Sequence, residues 1–353
     1  MPTQPPPSSS GREPQSFLQR AIDESSVAPK RPRYRWKLLR AGRLLLDGGS
    51  MFGVVPKALW GRNVQSDAQG RITLGHNCLL LEAVDATSAG FRQAVIEVGS
   101  GDPLKYDEKF RQIFGLGDEW IMTALREAGA SCEEIDHVIV THLHFDHAGG
   151  LTRRARTGEL ADWISPGGLG VKLTFPKATL WADSREWDDA IANRSVMTRT
   201  YLREHLEPIR ERLSFIESPP PFAADHLPQR DELPTTRVVD RQTEFLPGLF
   251  AFNVPGHTWG QQAISFTDDR GQTIVFVPDL IPTAHHVGSA YNMAYDVEPF
   301  MSTVSRHWFL EEASAGNWVL VLDHEPGHAF FRARADGKGW YELVSEDAQT
   351  RLV

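Results

Sequence analysis

The sequence has few cysteines, no long apolar run and no excess of basic residues. Cys78 and Cys132 are the only cysteines in 353 residues, too few for a disulfide framework and in keeping with a reducing compartment. Even the longest apolar runs, such as Val319–Leu322, contain only a few residues. A membrane-spanning helix needs ~20 apolar residues. The 37 Lys and Arg against 46 Asp and Glu give a net charge of −9, which disfavours a nucleic-acid-binding protein. We therefore expect a cytoplasmic protein without membrane or nucleic-acid partners.

The composition is that of a globular chain with an unusual N-terminus. With 41% hydrophobic and 24% charged residues, a sizeable core is feasible. Residues 1–34 are rich in Pro and Ser and then basic, which predicts a disordered tail before one domain over residues 35–353. The basic stretch 30–43 is predicted to be a solvated lead-in to a first strand at Leu44–Leu46. Within the domain, the Pro-rich stretch Ser218–Pro234 predicts a long surface loop.

The rest of the chain alternates short apolar runs with helical periodicity, which indicates a mixed α/β fold. Helices are predicted at Asp118–Ala128, Arg185–Leu213 and Pro299–Ser314, and a terminal hairpin at Phe330–Ala335 and Trp340–Val344. The predicted strands are Leu79–Ala83, Ala94–Val98, Val138–Val140, Ala178–Trp181, Leu249–Val254, Ala263–Phe266, Ile274–Val277 and Val319–Leu322.

The strongest chemical signal follows one of these strands. The stretch Thr141–Gly150 reads THLHFDHAGG and contains three histidines and an aspartate within six residues. In a turn, this spacing can direct His142 and His144 to one cation and Asp146 and His147 to a second. Imidazole nitrogen and carboxylate oxygen together suit zinc, with iron, manganese or cobalt as alternatives. The motif therefore predicts a metal site.

Three further candidate ligands each lie just past an apolar run. His257 follows Leu249–Val254, Asp279 follows Ile274–Val277, and His324 comes two residues after Leu322. A layered sheet collects residues from distant segments at the ends of its strands. We therefore expect these side chains to join the motif at 142–147 in a site for two divalent metal ions.

Together, HxHxDH at 142–147, Gly256-His257-Thr258, Asp279 and His324 resemble the metallo-β-lactamase superfamily. The resemblance runs from about residue 36 to the C-terminus. It implies a four-layer αβ/βα sandwich with a dinuclear site at one edge. The stretches 47–60, 279–283 and 294–296 resemble a narrower branch, the quorum-quenching N-acyl homoserine lactonases related to methyl parathion hydrolase.

The resemblance also implies roles for the ligands. His142, His144 and His257 would hold one metal and Asp146, His147 and His324 the second, while Asp279 would bridge. A hydroxide shared by the metals would attack the substrate, and Asp146 could also accept a proton. A homodimer is the assembly that related lactonases suggest.

Three positions depart from the family pattern, and the first is Trp259, where proline is common after Gly256-His257-Thr258. Pro282 stands where homoserine lactonases carry a tyrosine that assists at the carbonyl or leaving group, so His286, Tyr291 or Tyr295 would have to substitute. We take His286 and Tyr295 as the catalytic candidates beside Asp146. Glu97 stands where the superfamily usually has an aspartate that supports the ligands, and it is one methylene longer.

The long segment 152–235 has two interpretations: a cap over the site, or plain core packing of its aromatic residues. Trp163, Phe175, Trp187 and Phe222 would make such a cap apolar, which suits an acyl chain or an aromatic ring. The function expected from all these features is a hydrolase that opens a lactone or related ester. Hydrolysis of an organophosphate triester or aryl ester on the same site is the alternative, and a non-catalytic metal-binding scaffold is the third hypothesis.

Overall fold

The computed structural model of the chain describes residues 31–197 and 199–346. The chain divides into two units, Met1–Arg31 and Pro32–Val353, and the second contains the elements below. The predicted disordered tail falls mainly on residues 1–30, outside the described residues. Within the described part, no helix is long and apolar enough to span a bilayer.

The described residues form strands β1 to β16. These are β1 Tyr34–Asp47, β2 Arg71–Ala83, β3 Gln93–Ile96, β4 His137–Ile139, β5 Thr152–Arg154, β6 Trp163–Ile164, β7 Gly170–Leu173, β8 Thr179–Asp183, β9 Leu213–Ile216, β10 Thr243–Leu246, β11 Leu249–Asn253, β12 Gln262–Thr267, β13 Thr273–Val277, β14 Val319–Leu322, β15 Phe330–Ala335 and β16 Tyr341–Ser345.

Helices α1 to α10 and four short 3-10 helices connect the strands. The α-helices are α1 Gly48–Phe52, α2 Lys57–Trp60, α3 Ala86–Ala89, α4 Glu108–Phe114, α5 Ile121–Glu127, α6 Phe145–Ala148, α7 Ser184–Ile191, α8 Arg203–Leu206, α9 Val238–Arg241 and α10 Pro299–Ala315. The 3-10 helices are Pro103–Lys105, Gly149–Leu151, Glu207–Ile209 and Ala284–Val287.

Two mixed sheets face each other across the main core. One has the order β1-β2-β3-β4-β8-β9 and the other β10-β11-β12-β13-β14-β15-β16, while β5-β7-β6 form a small separate sheet. Strands β3, β4, β8 and β9 pair in parallel, as do β13 and β14; the other neighbours are antiparallel.

The side chains of the central strands point alternately to the two faces of each sheet, and this creates the layers. Ile274 and Phe276 of β13 pack in the core between the sheets, whereas Val275 and Val277 pack on the opposite face with α10. The first sheet likewise packs its outer face against α5. Since successive strand side chains point to opposite faces, apolar residues at consecutive positions bury both faces of each sheet. The four-layer αβ/βα sandwich predicted from the sequence is therefore confirmed.

The element predictions succeed where apolar runs are short and bounded. All eight predicted strands, the terminal hairpin and the helices near 118–128 and 299–314 are present, and the Pro-rich stretch lies in the loop between β9 and α9. The helix predicted at Arg185–Leu213 is wrong, because α7 ends at Ile191. Asn193 has a positive φ of 52°, and a right-handed helix cannot continue through a residue in that conformation.

The solvated lead-in predicted for 30–43 is also wrong, because β1 begins at Tyr34. Tyr34, Trp36 and Leu38 are buried, whereas Arg35 is exposed. This period of two is a strand pattern, and the density of basic residues hid it.

The segment 152–235, for which a cap is one interpretation, is divided among several parts of the fold. Strands β8 and β9 belong to the six-stranded sheet. Phe175 and Trp187 pack in the core beneath that sheet, and Phe222 packs against the α10 cluster.

Candidate dinuclear metal centre

Strand ends bring all seven predicted ligands together in the interior. The chain leaves β4, turns through His142 and His144, and places Asp146 and His147 in the single turn of α6. His257, Asp279 and His324 follow β11, β13 and β14. Every one of the seven is at most 8% exposed.

Four side chains form the first cluster: His142, His144, His257 and Asp279. The Nδ1 of His144 lies 3.2 Å from His142 Nε2 and 2.9 Å from His257 Nε2. Asp279 Oδ2 lies 3.1 Å from His257 Nε2 and 3.9 Å from His142 Nε2. Three nitrogens and one oxygen thus converge, as a tetrahedral metal site requires.

The second cluster shares Asp279 and adds His147, His324 and Asp323. The Nε2 atoms of His147 and His324 are 3.2 Å apart, and Asp279 Oδ1 lies 3.3 Å from His324 Nε2. Asp146 Oδ2 approaches the same His324 nitrogen to 3.6 Å. Asp279 therefore lies between the two clusters, with its Oδ2 also 3.7 Å from His147 Nε2.

The hydrogen-bond partners of two imidazoles suit cation binding. His324 Nδ1 lies 2.8 Å from the carbonyl oxygen of Gly75, and His257 Nδ1 lies 2.9 Å from Asp296 Oδ1. Since both oxygens accept, each Nδ1 donates, and in the neutral ring each Nε2 is left with a lone pair that faces its cluster. Asp279 Oδ1 is buried without a hydrogen-bond partner among the described residues. Converging lone pairs and an unsatisfied carboxylate oxygen suit two divalent metal ions.

Glu97 supports the centre from the end of β3. Its Oε1 accepts a hydrogen bond from the Thr141 backbone N–H at 2.6 Å, and its Oε2 lies 3.5 Å from His147 Nδ1. The residue has a positive φ of 65°, a conformation that costs about 1–3 kcal/mol in a residue with a side chain. The sequence-based expectation that Glu97 replaces the usual aspartate agrees with these contacts.

Burial and neighbouring charges shift the pKa values of the ligands. Burial lowers the pKa of His142 and His144 well below the usual range, and the adjacent imidazoles add to this. Burial opposes protonation of His147 too, but Glu97 and Asp146 hold its pKa well above the usual value. Burial alone would raise the pKa of Asp279, yet His257 and His324 hold it well below its ordinary value. Metal binding would therefore displace a proton from His147.

A cavity of about 270 Å³ opens onto the two clusters, and we refer to it as the central cavity. His144, Asp146, Asp279 and His324 line it on the metal side. Its remaining lining residues are Leu46, Phe110, Ile113, Phe114, Phe145, Ser195, Met197, Arg199, Thr200 and Tyr295. A largely apolar cavity with a few convergent polar groups is typical of small-molecule sites.

The two catalytic candidates from the sequence have different surroundings. Tyr295 lines the central cavity, and its hydroxyl donates to Met51 Sδ at 2.7 Å. His286 lies outside the lining: its Nδ1 faces Thr283 Oγ1 at 2.8 Å and its Nε2 faces the Met51 carbonyl oxygen at 2.9 Å. The catalytic role of His286 stays a prediction, and in the structure both of its nitrogens hold neighbouring segments together.

Sequence reasoning missed two buried carboxylates beside the ligands. Asp323 joins the second cluster, and both of its oxygens lack a hydrogen-bond partner among the described residues. Glu186 Oε1 accepts from the Leu143 backbone N–H at 3.0 Å and from the Tyr201 hydroxyl at 2.9 Å. Asp323 could have been suspected from its place beside His324, whereas nothing near Glu186 in the sequence signals its role.

Comparison with known proteins finds similarity in fold. A family model described as anti-Pycsar protein Apyc1 matches residues 117–163, a short stretch that includes the HxHxDH motif. No curated protein is significantly similar in sequence.

Solved structures match over most of the chain. A probable metal-dependent hydrolase from Staphylococcus aureus has a TM-score of 0.67 and 24% identity, covering 90% of this chain and 100% of that one. AidC, a dizinc quorum-quenching lactonase solved with a product, N-hexanoyl-L-homoserine, has a TM-score of 0.63 and 18% identity, covering 90% and 96%. A hydrolase of the beta-lactamase superfamily, AbOPH, has a TM-score of 0.62 and 16% identity, covering 90% and 98%. The chain thus has the metallo-β-lactamase fold.

Proposed function

We propose that this protein is a dinuclear metal-dependent hydrolase that opens a lactone or a related carboxylic ester. The observation that carries the proposal is the pair of buried ligand clusters sharing Asp279, placed where the largely apolar central cavity ends. Bound divalent cations would supply Lewis acidity and a water of lowered pKa. Zinc is the metal we propose, since the donors are imidazole and carboxylate.

Asp146 is the residue that we propose moves the proton. It lines the central cavity beside the ligands, and its Oδ2 lies 3.6 Å from His324 Nε2. A carboxylate in this position can accept a proton as water attacks the ester carbon, and can return it to the leaving alkoxide. The products are then a carboxylic acid and an alcohol, joined in one molecule when the substrate is a lactone.

Tyr295 is the residue that we propose orients the ester. Its ring lies 5.9 Å from that of His257, and its hydroxyl is held by the Met51 thioether, a weak acceptor. A substrate oxygen is a better acceptor, so the phenol can turn to donate to the carbonyl or leaving oxygen. This would supply the role that Pro282 cannot perform.

An N-acyl homoserine lactone is the specific substrate we propose to test first. The apolar residues Phe110, Phe114 and Met197 of the central cavity suit an acyl chain. The similar structure of AidC was solved with the product of such a reaction. Phosphotriester hydrolysis and the metal-binding scaffold stay as alternative hypotheses, and one experiment separates the three.

The experiment combines metal analysis with a substrate panel. Purified protein loaded with zinc is given N-acyl homoserine lactones, δ-lactones, aryl esters and phosphotriesters, and proton release is followed. We expect two zinc ions per chain and turnover of a lactone or ester above that of the phosphotriesters. A His144→Ala variant should lose this turnover, while a matched His328→Ala variant at an exposed position should keep it.

Three outcomes would count against the proposal. Phosphotriester turnover far above that of every lactone and ester would favour the alternative substrate class. No turnover at two zinc ions per chain would favour the scaffold, particularly if His144→Ala lowers only thermal stability. Equal activity in the presence of a chelator would remove the metal from the mechanism.

A further inference from the structure

One wall of the central cavity comes from a segment tied directly to the metal-binding loop. The carbonyl oxygen of Thr200 accepts a hydrogen bond from the Phe145 backbone N–H at 2.8 Å. The next residue, Tyr201, donates to Glu186 and places its ring 4.9 Å from that of His144. Arg199 precedes both anchors and lines the cavity. Arg199 is therefore joined on its C-terminal side to residues that contact the candidate metal centre.

The charge on Arg199 has no partner within the described structure, unlike that of its neighbours along the chain. Arg194 pairs with Asp189 at 2.9 Å, and Arg203 pairs with Glu207 at 2.9 Å. Among the residues described, no ion pair or side-chain hydrogen bond involves Arg199. Of these three arginines, the one that lines the cavity is therefore the one without an ion pair among the described residues.

The surroundings of Arg199 lack a competing anion. The only carboxylates lining the central cavity among the described residues, Asp146 and Asp279, belong to the metal centre. The other lining groups away from the metal side are mostly Leu, Ile, Phe and Met side chains. Arg199 is exposed at this wall, so an anion reaching it from solvent meets no competing carboxylate, and its planar fork matches a carboxylate.

We propose that Arg199 binds a carboxylate on the substrate, at a distance from the ester bond that is cleaved. The preferred substrate is then an amphipathic ester or lactone with an apolar body and a terminal carboxylate, such as the half-ester of a dicarboxylic acid, and a simple N-acyl homoserine lactone, which lacks that carboxylate, would be the poorer substrate of the two. This inference rests on the proposed hydrolase function. It makes Arg199 the residue that determines specificity, whereas the metal ligands and Asp146 determine reactivity.

The test compares two aryl esters of equal length. One is the half-ester of a dicarboxylic acid, and the other has a methyl group in place of the free carboxylate. In the zinc-loaded protein we expect kcat/KM to favour the half-ester. In Arg199→Gln this preference should fall by about 2- to 5-fold, the loss typical of one exposed ion pair, mainly through KM. Arg199→Lys should retain part of it, and Arg194→Gln should match the parent protein.

Three results would overturn the inference: no preference for the half-ester in the parent protein, an unchanged preference in Arg199→Gln, or the same loss in Arg194→Gln. If neither ester is hydrolysed, the proposed function fails, and calorimetry with the two matching non-hydrolysable ethers decides the role of Arg199. Tighter binding of the carboxylate ether in the parent protein, lost in Arg199→Gln, would support it. Equal binding of the two ethers would refute it.

Discussion

At the scale of single residues, the centre depends on side chains that orient the ligands. Asp296 Oδ1 accepts a hydrogen bond from His257 Nδ1, 2.9 Å away, so that Nε2 faces the first cluster. We expect Asp296→Ala to weaken zinc binding about 10- to 100-fold, as removal of such partners usually does. Competition with a chromophoric chelator measures this. Replacement of the exposed Asp231 by Ala is the control, and an Asp296→Ala affinity equal to that control would contradict the role.

Tyr295 is the second test at this scale. Tyr295 is the one tyrosine among the described residues that line the central cavity. Tyr295→Phe should therefore lower kcat about 100-fold while KM stays within a few-fold of the parent value. The matched control is Tyr291→Phe, since the Tyr291 ring packs edge-on to Phe52 at 5.8 Å. Steady-state kinetics on the best lactone or ester distinguishes the two variants, and equal losses would exclude a specific role for Tyr295.

The clustering of the candidate metal ligands could be predicted from the sequence, whereas the residues around them could be predicted only in part. His142, His144, Asp146 and His147 lie within six residues, so local spacing reveals them. His286 shows the limit of this reasoning. Its ring is stacked on Phe52 at 4.8 Å and bonded to the Met51 backbone, contacts between segments more than 200 residues apart that no local pattern encodes.

At the scale of elements, two loops meet without room for a side chain. Gly101 has a φ of +74°, and a Cβ there would lie 2.5 Å from the carbonyl oxygen of Gly149. Gly149 follows α6, which carries Asp146 and His147. The close approach therefore helps set where those two ligands lie.

Gly101→Ala should lower the free energy of unfolding by about 1–3 kcal/mol more than Gly158→Ala does. Gly158 also has a positive φ, of +85°, but a Cβ added there would meet nothing within 4 Å, so it isolates the cost of the backbone conformation. Urea unfolding of the metal-free variants measures the difference. Equal destabilisation would mean that the loops can separate at little cost.

The elements themselves were predictable where both strand faces are buried. Val319–Leu322 and Ile274–Val277 are apolar at consecutive positions, and each pairs in parallel inside the second sheet. Strand β1 was missed before Leu44 because its outward positions carry Arg and Lys. The break after α7 was missed as well, since the helical periodicity continues past Asn193 although the backbone turns there.

At the scale of the whole molecule, bound metal should contribute to stability. Each cluster joins residues from segments distant in sequence, and the unfolded chain cannot hold them together. Binding to the folded state alone stabilises by about 2.7 kcal/mol per site at a free metal concentration 100 times Kd. We therefore expect a chelator to lower the Tm and zinc to restore it. Asp279→Ala should show a much smaller zinc-dependent shift, since Asp279 belongs to both clusters.

The sequence predicts the fold and the candidate metal centre in more detail than it predicts the substrate. Buried strands and ligand spacing are encoded locally, whereas the central cavity is assembled from β1, α4, α6, the loop carrying Tyr295 and the residues Ser195, Met197, Arg199 and Thr200. Thr200, the neighbour of Arg199, is joined to Phe145 by a backbone hydrogen bond. Such a tertiary contact leaves no periodic signal in the chain.

Titration of the metal-free protein with zinc tests the shared centre most directly. Bound zinc per chain and the rate of lactone or ester hydrolysis are measured on the same samples. If both clusters act together through Asp279, the rate rises until two zinc ions are bound per chain and then stays constant. Full activity at one ion per chain, or a rate independent of zinc, would contradict a dinuclear hydrolase.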